Sequence, residues 1–221
     1  FSKNFSLHLP PYLGPEFMSL DPTTTDVLLT LRYMSHAIDL PNLAVGDKKV
    51  ISETLYNAEY HLLSIIQSIE LSNKTSNHKS KPNGLNYAAV IASLLYLQLA
   101  IRQLPSPSKV HNRLVSEMEI PISRYLSTNP GLQSETPYAR DIWLWIMFIK
   151  AAASNFHIND RRDTLRVGKG ELGDEVKEVL RERLKKVAWR EKVCGSLLDS
   201  VWRGMRAGVN GPKLFQSSRI F

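Results

Sequence analysis

Residues 85–104 read LNYAAVIASLLYLQLAIRQL, twenty residues without Gly or Pro and polar only at Asn86, Ser93, Gln98, Arg102 and Gln103. The stretch reads as a helix. At 100° per residue Asn86 and Ser93 fall on one side and Gln98 and Arg102 nearly opposite, so no broad polar face remains and neighbouring helices must enclose it. The alternative, a membrane span, has the length. It would carry polar residues inside the span and Arg102 before its end, and the chain has no second span of that length. The sequence therefore predicts an all-α fold, one large helical bundle built around this central helix.

The rest of the chain can supply such a bundle. Of its 221 residues 43% are apolar, ample for a core. Its single cysteine, Cys194, excludes an internal disulfide and a cysteine-based zinc cluster, which suits a reducing compartment. No basic segment followed by an apolar one opens the sequence, so its start does not look like a signal peptide. Two glycosylation sequons, at Asn4 and Asn73, keep a secreted origin open, since a mature chain would have lost its leader.

Residues 1–22 hold Pro10, Pro11, Pro15 and Pro22 and read as an extended N-terminal arm; residues 23–221 read as the helical domain. Thr23 to Thr25 offer N-caps for a first helix that Pro41 stops. From 49 to 71 the set Ile51, Leu55, Ala58, Leu62, Ile65, Ile66 and Ile69 predicts the clearest amphipathic helix of the chain. Residues 72–83, SNKTSNHKSKPN, contain no apolar side chain and read as a mobile loop. After Pro105 and Pro107, Ser108 caps a helix toward 127 that Pro121 should kink. Residues 138–154, YARDIWLWIMFIKAAAS, form the most aromatic helix. Residues 159–173 read as a Gly-rich loop, 174–192 as a charged helix, and Gly195 as the break before a last helix, 196–206. No stretch alternates with a period of two, and no repeat is evident.

The net charge of +7 is uneven. Residues 111–221 carry nineteen Lys and Arg against thirteen Asp and Glu, whereas 1–110 carry nine against eight. A basic surface could meet nucleic acid or an acidic partner. Interleaving of Lys177, Arg181, Arg183, Lys185 and Lys186 with Glu175, Glu178 and Glu182 instead reads as solvated helix faces.

A search for chemistry returns little. The six histidines, His8, His36, His61, His78, His111 and His157, are widely spaced, with no i,i+4 pair to begin a metal site. His61 lies beside the apolar face of its helix and reads as a core or boundary residue. Gly168-Lys169-Gly170-Glu171-Leu172-Gly173 fits GxGxxG, but the Asp- and Arg-rich residues before it give no buried strand, so dinucleotide binding is set aside. Cys194 reads as a buried apolar residue. No catalytic residue, metal or cofactor is expected in the chain.

The succession of NYAAVIASLLYLQLAIRQLPS, then ARDIWLWIMFIKAAAS, then LRERLKKVAWREKVCGSLLDSVWRGM, with Trp189 and Trp202 in the last, resembles the fungal-specific transcription factor domain. That domain is the helical regulatory region of fungal zinc binuclear cluster regulators. The resemblance spans residues 24–206 and departs at 156–173. It implies a nuclear, non-enzymatic role in transcription regulation through dimerisation, co-regulator contact or sensing of a small-molecule effector. The six-cysteine DNA-reading cluster is absent from this chain, so no sequence-specific DNA binding by it is expected. Trp143, Trp145, Phe148 and Arg140 are the candidates for a ligand pocket or partner groove, with Asp141 and Lys150 at its rim; core packing is the simpler reading of the aromatics. Two alternatives remain: a secreted or scaffolding helical interaction module, and an enzyme with a dispersed active site.

Overall fold

The computed structural model describes residues 20–75, 83–104, 108–128, 136–155 and 174–206. Among them every regular element is helical and the class is all-α, as the periodicity predicts. The elements are α1 (Pro22–Ile38), α2 (Val45–Thr75), α3 (Gly84–Tyr96) with a π-helical turn (Leu97–Ile101), α4 (Lys109–Glu117), α5 (Glu119–Thr128), α6 (Pro137–Asn155), α7 (Asp174–Lys185) and α8 (Glu191–Arg206). The arm up to residue 19, residues 76–82 of the expected 72–83 loop and the whole 159–173 stretch with its GxGxxG match lie outside the described residues, while 72–75, read as loop, continue α2.

The central stretch is enclosed as its composition demands. Every residue from Ala88 to Ile101 is buried. By length and composition Gly84–Ile101 could cross a membrane, but 89% of it is covered by other helices of the same chain. It packs against α1, α2, α4, α5 and α6. A second hub was not legible from periodicity alone: α7 and α8 pack chiefly on α6. Almost every side chain of α6 from Asp141 to Ala153 is buried. The bundle therefore holds two buried helices, the central one and the aromatic α6.

Element boundaries shift for identifiable reasons. The cap of α1 is Asp21, whose carboxylate accepts from Thr24 N at 2.9 Å, while Pro22 takes the first helical position, where a missing N–H costs nothing. Ser108 caps α4 as read, accepting from His111 N at 3.1 Å. The kink ascribed to Pro121 falls earlier, at Met118. Proline excludes the carbonyl four residues back, that of Glu117, so the ladder breaks there and α5 starts with Pro121 in its first turn. α3 relaxes after Tyr96 into the π turn, in which Arg102 N bonds Leu97 O five residues back at 2.9 Å.

The expected break at Gly195 is corrected. Gly195 lies inside α8, and the chain leaves the helix at 186–190 instead. Val187, Ala188, Trp189 and Arg190 are all buried. Outside a helix, the Ala188 carbonyl is free to accept from Trp145 Nε1 at 2.9 Å. His61 is likewise exposed and not at the core boundary.

Candidate functional site

The 186–190 segment organises the described site. Trp145 Nε1 on α6 donates to Ala188 O at 2.9 Å, and the Phe148 and Trp189 rings lie 5.9 Å apart. Both contacts pin the segment against α6. Arg190 then reaches across it. Its Nε donates to Asp39 Oδ1 at 3.0 Å, and one terminal nitrogen donates to Ala100 O at 2.9 Å and Ile101 O at 3.3 Å. Asp39 caps the end of α1, and the two carbonyls end the π turn, so one buried guanidinium satisfies acceptors at two helix C-termini.

Beneath Arg190 a chain of hydrogen bonds runs into α1. Ser35 Oγ donates to Leu31 O at 2.6 Å, which uses its only proton, so the Tyr96 hydroxyl 2.6 Å away donates to Ser35. Cys194 contacts the same tyrosine oxygen, and its Sγ accepts from Arg190 N at 3.4 Å. Each member has a partner, which makes the network rigid in a dry core. Burial raises the Tyr96 pKa well above the usual phenol and pushes the Cys194 thiol up to about 12. Both stay protonated at neutral pH.

A cavity of about 850 Å³ opens beside this network, between the C-terminal half of α1, the start of α6, the end of α7 and the 186–191 connection. Trp189, Tyr138 and Leu40 give it apolar wall. Its charged lining is balanced, with Arg32, Lys185 and Lys186 against Asp39, Glu182 and Glu191. Arg32 is buried at 4% exposure. Burial, then the neighbouring Arg32 charge, lowers the His36 pKa from its ordinary value, so this imidazole is neutral near pH 7. The carboxylates are engaged: Asp39 with Arg190, Glu182 with Lys185 at 2.8 Å, and Glu191 with the Trp189 indole at 2.6 Å. Such a cavity suits a molecule with an aromatic or apolar body and polar ends.

The aromatic residues singled out from the sequence sit elsewhere. Trp143, Trp145 and Phe148 are fully buried in the core, Trp143 against Tyr125 with centroids 4.9 Å apart and Trp145 against Tyr96 at 5.6 Å. None lines the cavity. Arg140 is half-buried on α6, with Nε enclosed and without an acceptor. Asp141 is a tie between helices, accepting from Arg183 at 2.6 Å and Lys186 at 3.4 Å, and Lys150 pairs with Glu119. The cavity residues Ser35, His36 and Asp39 escape sequence reading because they look like the polar flank of α1. One signal was available: a buried-looking VAWR run inside a charged helix. Among the described residues no cluster of three or more His, Cys, Asp or Glu could hold a metal.

Compared with protein-family models, with characterised proteins and with solved structures, the chain matches none of them.

Proposed function

We propose that the chain is a regulatory domain of a nuclear fungal transcription factor, acting by binding and not by turnover, and that the cavity beside Trp189 takes a small-molecule effector. The observation that carries the reading is the cavity's position. It is bounded by three stretches remote in sequence, 32–40, Tyr138 and 182–191, and its Ser35 wall connects through Tyr96 and Cys194 to α8. An occupant that orders this junction would favour one arrangement of α7 and α8 against α1, which is what a sensing domain requires. Reading of DNA would belong to a separate module, and co-regulator proteins would meet the outer helix faces. The resemblance in the succession of helices supports the same role.

A second reading rests on a specific feature, the meeting of His36 with three carboxylates at one cavity, which is what an enzyme with a dispersed site would need. Binding is favoured because each carboxylate is already held by a cation or an indole, leaving none poised to move a proton.

A thermal-shift titration with a metabolite panel tests the proposal. A saturable rise in melting temperature is expected, worth about 2.7 kcal/mol at a hundredfold excess over Kd. Leu40→Trp, which fills the mouth from an exposed position, should abolish the shift while leaving the unliganded protein folded. A shift that survives Leu40→Trp places the ligand elsewhere. Turnover lost in His36→Gln would favour the enzyme.

A further inference from the structure

The charges lining the cavity are balanced in number and sorted by depth. Arg32, Ser35, His36 and Asp39 share one side of α1, since steps of three, four and seven residues return a helix to within about 60° of the same line. Arg32 is at the closed end of this row. It is 4% exposed and Ser35 1%, whereas Leu40 at the mouth is 40% exposed. The carboxylates of the lining lie away from that end, and each is held. Asp39, about 10 Å further along the helix than Arg32, has two cations for one acid, Arg190 at 3.0 Å and Lys192 at 3.9 Å. Glu182 and Glu191 stand at the rim, their side chains 62% and 57% exposed; Lys185 lies 2.8 Å from the first and 3.8 Å from the second, and Arg181 3.7 Å from Glu191. Lys186 turns to Asp141 at 3.4 Å.

The deepest charged group of the lining is therefore a guanidinium. Arg32 also interacts within the fold, but a guanidinium carries five donors and can hold an anion besides. Its charge prevails along this wall, since Arg32 lowers the His36 pKa by more than Asp39 raises it. At the closed end, water screens that charge poorly. Between it and the mouth the wall is apolar and largely flat, made by Trp189, Tyr138 and Leu40. The Trp189 N–H is already given to Glu191, so this indole offers the cavity ring surface and no donor.

We infer that the effector is an organic carboxylate with an aromatic body, its carboxylate directed inward to Arg32 and its ring lying along Trp189 and Tyr138 toward Leu40. This adds a chemical class to the effector site proposed above and rests on that reading. A planar carboxylate matches the guanidinium fork with two parallel hydrogen bonds. An amine in the same place would face a like charge, and the lining carboxylates that could receive it are taken by Arg190, Lys185 and the Trp189 indole. A phosphate would bring a second negative charge where the lining has a single deeply buried cation.

Isothermal titration calorimetry on the full chain tests the class with matched probes: phenylacetate, indoleacetate and naphthylacetate, each beside its amide, and tryptamine as the amine. At least one acid is expected to bind saturably and about tenfold or more tighter than its amide, with tryptamine silent, because a charge-assisted pair is replaced by a neutral one. Leu40→Trp should abolish binding of the acid. Arg32→Gln, which keeps a donor and removes the charge, should bring acid and amide to within about twofold of each other, with circular dichroism as the check on folding. The comparison of acid with amide on the natural sequence holds whether or not that variant folds. Amides or tryptamine binding as tightly as the acids, and losing that binding in Leu40→Trp, would keep the effector site and overturn the carboxylate. Acid binding that survives Leu40→Trp, or a folded Arg32→Gln that still prefers the acid, would overturn it as well. So would silence of all three acids up to about 10 mM, in which case the wider metabolite panel decides the effector site by itself.

Discussion

Replacing Arg190 by alanine would leave the Asp39 carboxylate and the carbonyls of Ala100 and Ile101 without their shared donor in a site only 8% exposed at the arginine. The expected loss is about 3–5 kcal/mol, read as a shift of the urea midpoint at unchanged m-value. Arg190→Lys should recover little, because an ammonium on a flexible stem cannot reproduce a fork that spans a carboxylate and two carbonyls. His111 presents the opposite case. It is completely buried with neither ring nitrogen hydrogen-bonded, and lost hydration lowers its pKa from 6.5. Below that value the unfolded chain takes up a proton that the folded one resists. Stability is therefore full above about pH 6.5 and falls as the pH drops toward the lowered folded-state pKa. His36 adds to the same slope. His111→Leu should flatten the decline in melting temperature between pH 7 and pH 5, and an unchanged slope would assign the effect to His36. Neither residue could be ranked from sequence, where Arg190 is one cation in a basic helix and His111 one polar residue after a cap.

Two elements are held by backbone geometry that side-chain patterns do not reveal. α3 and α5 cross at Gly84, where an added Cβ would lie 2.6 Å from Pro121 O and 3.0 Å from Tyr125 N. Backbone atoms cannot swing aside, so Gly84→Ala should cost about 1–3 kcal/mol despite alanine's better helix propensity. Gln103, by contrast, closes the π turn with φ 51°, while Leu104 N bonds Gln98 O at 3.0 Å in the manner of a helix cap that glycine usually supplies. Gln103 is exposed, and Gln103→Gly should raise stability by about 0.5–1 kcal/mol, the left-handed penalty relieved less the entropy glycine adds to the unfolded chain. Helix existence was legible throughout because hydrophobic period is local. Helix ends were legible only where a cap or proline sits nearby in sequence, as at Ser108. The uncoiling at 186–190 was not, since its partners are a tryptophan donor on α6, a carboxylate at the end of α1 and two carbonyls of the π turn.

Across the whole molecule, Cys194 reports on global opening. It is buried against Tyr96 and Arg190, and its thiol pKa is pushed up to about 12. A thiol reagent at pH 8 should therefore label it at the rate of cooperative unfolding and not by local fluctuation, and effector binding should slow labelling in proportion to the stability gained. Fast labelling at native conditions would show that α8 opens by itself. The same scale explains why the aromatic cluster was a poor guide to the site. Trp143, Trp145 and Phe148 announced a buried helix correctly, and for that reason they are covered on all sides and form no wall of the described cavity.

What the residues determined by themselves was the all-α class, the enclosure of 85–104 and the near-total burial of the aromatic helix, because apolar content without a polar face admits no other solution in water. They did not determine the second hub on α6, the two-faced character of α2 or the cavity at the α1–α7–α8 junction. Those depend on which faces meet. α2 carries enough apolar residues for two surfaces, and only packing against α1 and α3 decided which stripe became core and which was left outside.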